Sequence, residues 1–235
     1  MFFPERIQSI GPNDTVLEIG PGGASYHRAD VLLEKRFDHP SVAEAQRAFT
    51  PPLETTKEVV YYDGGRFPFD DKQFEYVICS HVLEHVEHVD AFVEEIVRVA
   101  KRGYVEYPTI YYDYVYNIPE HISLIFHRNN FLYWMPKAEA ELDRFRYVQD
   151  FFLASMRKGY TAMVDELRSF LIQGFEWEGD IVTQRAYSPE QVSYTADELQ
   201  ILTPAKKESQ RKVEGGFLET IGKWTYRMRR RFLLR

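Results

Sequence analysis

The chain has 235 residues, of which 29 are Lys or Arg, 36 are Asp or Glu and 44% are hydrophobic. That length bounds it at one large domain, or one domain plus a short accessory segment, and the composition excludes a disordered chain. A formal charge of −7 argues against a dedicated duplex-DNA binder, which needs a positive surface to neutralise phosphate. The charge is uneven: residues 205–235 hold ten Lys/Arg and three Glu, a local +7, which leaves −14 on the first 204. The single cysteine, Cys79, excludes an intramolecular disulfide and a four-cysteine zinc cage and points to a reducing compartment. Met1–Arg6 lacks the basic start and apolar stretch of a secretory signal, and no apolar run reaches spanning length. The expected location is therefore the cytoplasm, with peripheral membrane contact if the basic tail docks there.

Along the chain, short apolar runs end at glycines, acids or proline. Thr15–Gly20, Val31–Leu33, Val59–Tyr62, Tyr76–Cys79 and Tyr104–Tyr107 read as buried parallel strands. Between the fourth and fifth, Phe92, Val93, Ile96, Val97 and Ala100 fall at helical spacing. Asp90 is the expected N-cap of that helix, and Gly103 its stop. Strands alternating with helices predict an α/β fold around a largely parallel sheet.

After Pro108 the rhythm changes. Ser123–His127 and Phe131–Met135 flank Arg128-Asn129-Asn130 and predict a hairpin. Residues 137–173 read as helical, and Phe175–Gln184 as a strand returning to the sheet. The expected domain is 1–202, with a cofactor half at 1–109 and an acceptor-side elaboration at 110–202; 203–235 reads as linker and basic tail.

Chemistry concentrates at strand ends. Val16-Leu17-Glu18-Ile19-Gly20-Pro21-Gly22-Gly23 is a strand that stops at close-set glycines, where a ligand can approach the backbone and amides can meet a negative group. The dinucleotide pattern G-x-G-x-x-G fails here, because Ser25 stands at its third glycine. The carboxylate of Glu18 suits a ligand carrying an ammonium. Glu34 follows the second strand, where a carboxylate can accept both hydroxyls of a ribose, and Asp63 follows the third, where it can accept from an exocyclic amine. Ligands of open parallel sheets bind at those carboxyl ends. Amine, ribose diol and adenine amine are the polar handles of S-adenosylmethionine.

These residues, together with DGGRFPFDDKQFEYVICSHVLEHV (63–86) and FVEEIVRVAKRGYVEYP (92–108), resemble the class I S-adenosylmethionine-dependent methyltransferases over about the first 110 positions. RADVLLEK (28–35) and the His121–Lys137 stretch most resemble a bacterial subgroup of the small-molecule or glycan type, a resemblance that names no particular substrate. The resemblance implies a Rossmann-like, doubly wound, seven-stranded sheet with helices on both faces and the last strand antiparallel. It implies that Glu18, Gly20, Pro21, Gly22 and Gly23 hold the methionine end and Glu34 the ribose. Asp63 and the Gly64 amide would read adenine, while Ser80 and His81 would close the pocket under the sulfonium. Ala24 replaces the family's third glycine, and no Asn/Asp-Pro-Pro-Tyr/Phe motif follows the fourth strand, which argues against amide methylation. The expected reaction is methylation of a hydroxyl or carboxyl of a small molecule or glycan precursor. The competing reading is a non-catalytic module that binds the donor or its demethylated product.

His81 and His121 are the general-base candidates. His81, Glu84 and His85 are spaced to share one helical face, and with His121 they could hold a divalent metal, as in relatives that methylate ribose or catechol hydroxyls. Those relatives carry an acid where His81 stands, and three mixed N/O ligands without a fixed fourth are a thin set. The sequence reading therefore assigns no metal. Tyr107, Tyr111, Tyr112, Tyr114 and Tyr116 either face the acceptor or pack the hairpin. In the tail, Trp224, Met228, Phe232 and Leu233 interleave with arginines over 217–235. That pattern suits an anionic membrane surface or lipid-linked substrate, RNA, or the acidic body itself.

Overall fold

The computed structural model describes residues 1–39, 42 and 53–202. The chain divides into Met1–Tyr194 and a second unit from Thr195 onward, of which the helix Ala196–Leu202 is described. The predicted linker at 203–216 and the basic stretch at 217–235 lie outside the described residues.

All five predicted strands form: β1 Val16–Ile19, β2 Val31–Lys35, β3 Glu58–Tyr62, β4 Phe74–Ser80 and β5 Ala100–Pro108. After them come β6 Ser123–Arg128, β7 Phe131–Pro136, β8 Ile172–Glu178 and β9 Val182–Arg185. The main sheet runs β3-β2-β1-β4-β5-β8, parallel except where β8 pairs antiparallel with β5. It has six strands among the described residues, not the expected seven. The segment 175–184, read as one strand, breaks at Gly179 (φ +83°) into β8 and β9. Only β8 joins this sheet; β9 lies parallel to β7 in a second sheet, β6-β7-β9. The hairpin is where the sequence puts it, and Asn129 and Asn130, at φ +50° and +66°, make its tight turn.

Helix α1 spans Val89–Val99 between β4 and β5. It starts one residue before Asp90, whose Oδ1 instead accepts the Trp134 Nε1–H at 2.6 Å and ties the hairpin to the helix. Gly103 is not the helix stop. The chain becomes extended from Ala100, and Gly103 sits inside β5 opposite Val77 and Trp177. A Cβ there would lie 2.3 Å from the Val77 carbonyl oxygen, so the position needs glycine for close approach and not for a cap.

Strand periodicity separates the two sheet faces. Leu17, Ile19, Val77, Cys79 and Val105 pack with Phe92, Val93 and Ile96 of α1. Val16, Tyr76, Ile78 and Tyr104 form a second cluster with Ile7, Ile10 and Tyr26. A helix was expected on each face; among the described residues this second cluster is covered by non-helical chain. The β1–β2 connection, 20–30, is too short for a helix with loops at both ends and runs as turns. After β5, α2 Ile110–Tyr116 and α3 Arg146–Arg157 follow, with two short helices, α4 Ala162–Glu166 and α5 Arg168–Leu171. The helical reading of 137–173 therefore resolves into short pieces separated by turns.

Candidate active site

A cavity of about 1070 Å³ opens at the carboxyl ends of β1 to β4, where a parallel sheet presents its ligands. Gly20, Pro21, Gly22 and Gly23 line it after β1, Glu34 at the end of β2, Gly64 after β3, and Ser80 and His81 after β4. His121 reaches it from the turn before β6. Two of the expected residues do not line it. Glu18, 5% exposed, is buried and accepts the Tyr26 N–H at 2.7 Å. Burial raises the Glu18 pKa, an effect that the Tyr26 amide and the charge of Lys57 partly offset. Asp63 is exposed at the rim and faces Arg36 Nε at 3.6 Å.

The turn itself requires glycine. Gly20 and Gly22 have φ of +61° and +64°, and a Cβ on Gly20 would meet Val82 Cγ2 at 2.6 Å. Beyond β3, Gly64 and Gly65 have positive φ, and a Cβ on either would meet no atom within 4 Å. Backbone therefore borders the cavity on both sides of Glu34.

His81 sits at φ +58° where the chain leaves β4, followed by a 3₁₀ turn, Leu83–His85. The expected helical face is absent, and this turn sets the side chains. His81 Nδ1 lies 3.2 Å from Glu84 Oε1 and Nε2 lies 3.2 Å from Glu106 Oε1. Burial disfavours a charged ring, but the Glu106 and Glu84 carboxylates, each 3.2 Å from a ring nitrogen, prevail and raise the His81 pKa to about 9. Both carboxylates show the complementary shift. Burial pushes each up, yet His81 holds Glu84 below its usual value, and His81 with the Phe2 amide and Tyr104 hydroxyl brings Glu106 to about 2.

Glu106 is the residue the sequence reading passed over. It shares the parity of Tyr104 along β5 and so faces the non-helical side of the sheet. Fully buried, its Oε1 accepts the Phe2 N–H at 2.7 Å and the Ser80 hydroxyl at 2.9 Å. Its Oε2 accepts the Phe3 N–H at 2.9 Å and the Tyr104 hydroxyl at 2.8 Å. This one carboxylate joins the N-terminal segment, β4 and His81. An acid inside an apolar strand was the available signal, since such a group needs partners.

The acceptor side carries a second buried polar group. Asp113 on α2 takes His121 Nδ1 at 2.9 Å through Oδ2, and Lys137 Nζ at 2.8 Å and the Ile118 N–H at 3.1 Å through Oδ1. Burial opposes its charge, but His121 and Lys137 hold its pKa down. His85 Nδ1 faces the Glu120 carbonyl at 2.9 Å, and burial lowers its pKa. Of the five tyrosines, Tyr112 alone lines the cavity, with its ring 6.1 Å from that of His121. Tyr107 and Tyr116 are buried in packing, Tyr111 stacks on Tyr194, and Tyr114 meets Phe145 edge-on. Cys79 is wholly buried in β4, and burial pushes its thiol pKa up.

Residues 17–105 match the family model described as a methyltransferase domain. No curated protein matches the chain. Solved structures resemble it at low identity. A protein from Pyrococcus horikoshii OT3 is 18% identical over 53% of this chain and 62% of its own, with a TM-score of 0.36. One from Bacillus halodurans C-125 is 22% identical over 47% and 55%, at 0.34. An S-adenosylmethionine-dependent methyltransferase from Mesorhizobium loti is 16% identical over 48% and 52%, at 0.33. The chain thus spans between about half and three fifths of the length of these structures. No helix among the described residues is long and apolar enough to cross a membrane.

Proposed function

We propose that the protein transfers the methyl group of S-adenosylmethionine to a hydroxyl or carboxyl oxygen of a small molecule or glycan precursor. The observation that carries this reading is that the methyltransferase-domain segment supplies most of the cavity rim: Gly20–Gly23, Glu34, Gly64, Ser80 and His81 all lie within 17–105. In this reading the amides of the glycine turn take the methionine carboxylate, and Glu18 favours the ammonium. Glu34 accepts the ribose hydroxyls. The 63–64 loop takes adenine, with the Gly64 amide at the cavity and Asp63 at the rim. Ser80 and His81 lie under the sulfonium. A protonated His81 between Glu84 and Glu106 leaves a net charge of about −1 on that trio, which favours a cationic donor over its neutral product.

In the transfer, an acceptor oxygen lone pair forms the new O–CH₃ bond while the S–CH₃ bond breaks and its electron pair stays on sulfur. A hydroxyl acceptor also releases its proton, which passes to water in the cavity. Holding donor and acceptor in line supplies much of the rate, so the pocket does most of the work by positioning. His81 carries its proton near neutrality, which leaves it to bind and orient. His121, whose Nδ1 is taken by Asp113, is the histidine that meets the acceptor side.

Calorimetry of the full chain with S-adenosylmethionine and with its demethylated product tests the reading. Saturable binding of both is expected, weakened at least about tenfold by Gly20→Ala, whose Cβ would collide with Val82. Absence of binding to either refutes it. Binding without turnover on a panel of hydroxyl and carboxyl acceptors would refute transfer and favour a cofactor-binding module.

A further inference from the structure

Glu84, His85 and His121 come together at the acceptor end of the cavity, each offering one ligand atom, all within 4.8 Å of one another. Three features set this group apart from a chance cluster. Glu84 is 1% exposed, and its Oε2 has no hydrogen-bond partner among the described residues, which is a costly state for a buried carboxylate oxygen. Both histidines are held through Nδ1, His85 by the Glu120 carbonyl and His121 by the Asp113 carboxylate. Each of those partners is an acceptor, so Nδ1 donates, and in the neutral ring Nε2 keeps a lone pair for a ligand. Finally, Asp113 is itself fixed by Lys137 and the Ile118 amide, so the carboxylate–histidine pair is braced before anything binds.

We propose that Glu84 Oε2, His85 Nε2 and His121 Nε2 form a three-ligand site for a divalent transition metal such as Zn²⁺, with its open positions toward the acceptor. Two neutral imidazoles and one carboxylate suit zinc, and three protein ligands with an open position are the pattern of a catalytic rather than a structural ion. A histidine whose other nitrogen donates to a carboxylate or carbonyl is the usual arrangement around a bound metal. His81, which the sequence grouped with these residues, is not a ligand here: both of its nitrogens face carboxylates. It instead holds Glu84 Oε1, which leaves Oε2 as the carboxylate oxygen without a hydrogen-bond partner among the described residues. The inference rests on the methyltransferase reading only for its purpose. A cation at this place would bind a hydroxyl of the acceptor and lower its pKa, which selects acceptors able to offer an oxygen ligand.

The test is metal binding by the full chain, measured without turnover. After chelator treatment and removal of the chelator, titration with Zn²⁺ followed by calorimetry and elemental analysis should give one tight equivalent. His121→Ala and Glu84→Gln should each weaken it by more than about a hundredfold, and Asp113→Asn, which removes no proposed ligand, by about 10- to 100-fold. Circular dichroism of each variant checks folding. Should Glu84→Gln unfold, His85→Ala takes its place. Binding of the demethylated donor product to chelated protein should be unchanged, which separates failure of the metal site from failure of the methyltransferase reading. Less than one equivalent bound by the wild type, or equal affinity in the folded His121 and Asp113 variants, would overturn the proposal.

Discussion

Glu106→Gln is the sharpest probe of how the site is held. In the wild type one carboxylate accepts from Phe2 N–H, Phe3 N–H, the Ser80 hydroxyl and the Tyr104 hydroxyl, and faces His81 Nε2 at 3.2 Å. Glutamine has the same shape but only one acceptor oxygen. That oxygen will keep the Oε1 side, where three donors converge, and its NH₂ group will then oppose the Phe3 N–H and the Tyr104 hydroxyl. The Phe3 N–H loses its acceptor, while the Tyr104 hydroxyl can turn to accept from the new NH₂ group, so the loss should be about 1–3 kcal/mol at pH 7. Urea unfolding measures it. The carboxylate pKa is about 2 in the folded protein, below its unfolded value, so its contribution is complete above the unfolded pKa and fades as pH falls toward 2. The gap between wild type and variant should therefore narrow below about pH 4. A loss under about 1 kcal/mol at pH 7, or a gap that does not depend on acid, would refute the assigned hydrogen bonds.

Other consequences follow from close approach and burial. Gly103→Ala places a Cβ 2.3 Å from the backbone oxygen of Val77 and should lower stability by about 3 kcal/mol or more, read as a fall in Tm. Gly65→Ala, also at positive φ but in open space, should cost only about 1–2 kcal/mol in the same assay. Lys137→Met removes the ammonium that faces buried Asp113 and should destabilise by about 3 kcal/mol in urea, with a matching loss at Asp113→Asn. Trp134→Phe breaks the indole bond to Asp90 and should cost about 1–2 kcal/mol, with faster amide exchange where the hairpin meets α1.

The strands and the glycine turn were legible because both are local. Val16–Ile19 and Tyr76–Cys79 are apolar runs of the length a buried parallel strand requires, and the positive φ of Gly20 and Gly22 is written in the residue type. Gly103 was misread for an instructive reason. A glycine at the end of an apolar helical pattern looks like a cap, and only the neighbouring strand shows that the missing Cβ makes room for Val77. The main sheet has six strands among the described residues, not seven, because the β6–β7 hairpin pairs with β9 in a second sheet, a choice made by tertiary pairing.

The polar interior was least legible, though it was not silent. Asp113 lies in Ile110-Tyr111-Tyr112-Asp113-Tyr114-Val115-Tyr116, a lone acid in an aromatic run on a helix packed at Ile110 and Tyr116. Burying that charge without partners would cost several kcal/mol, so the sequence alone demands that cations or donors come to it. What it does not state is which ones. The answer depends on Asn117 adopting φ +45°, which ends α2 and returns Ile118 and His121 to the Asp113 carboxylate, and on the hairpin delivering Lys137. The same geometry decides the chemistry of His121. A histidine eight residues from an acid is unremarkable in sequence, but once Asp113 holds Nδ1, the free nitrogen is committed to the cavity beside Glu84 and His85. Asparagine at position 117 is thus as much a determinant of the site as the histidine. Replacing it with valine, which resists positive φ, should disorder His121 and lower metal and acceptor affinity while leaving binding of the methyl donor at the glycine turn intact. Loss of donor binding in a folded Asn117→Val protein would show that the two halves of the cavity are not independently built.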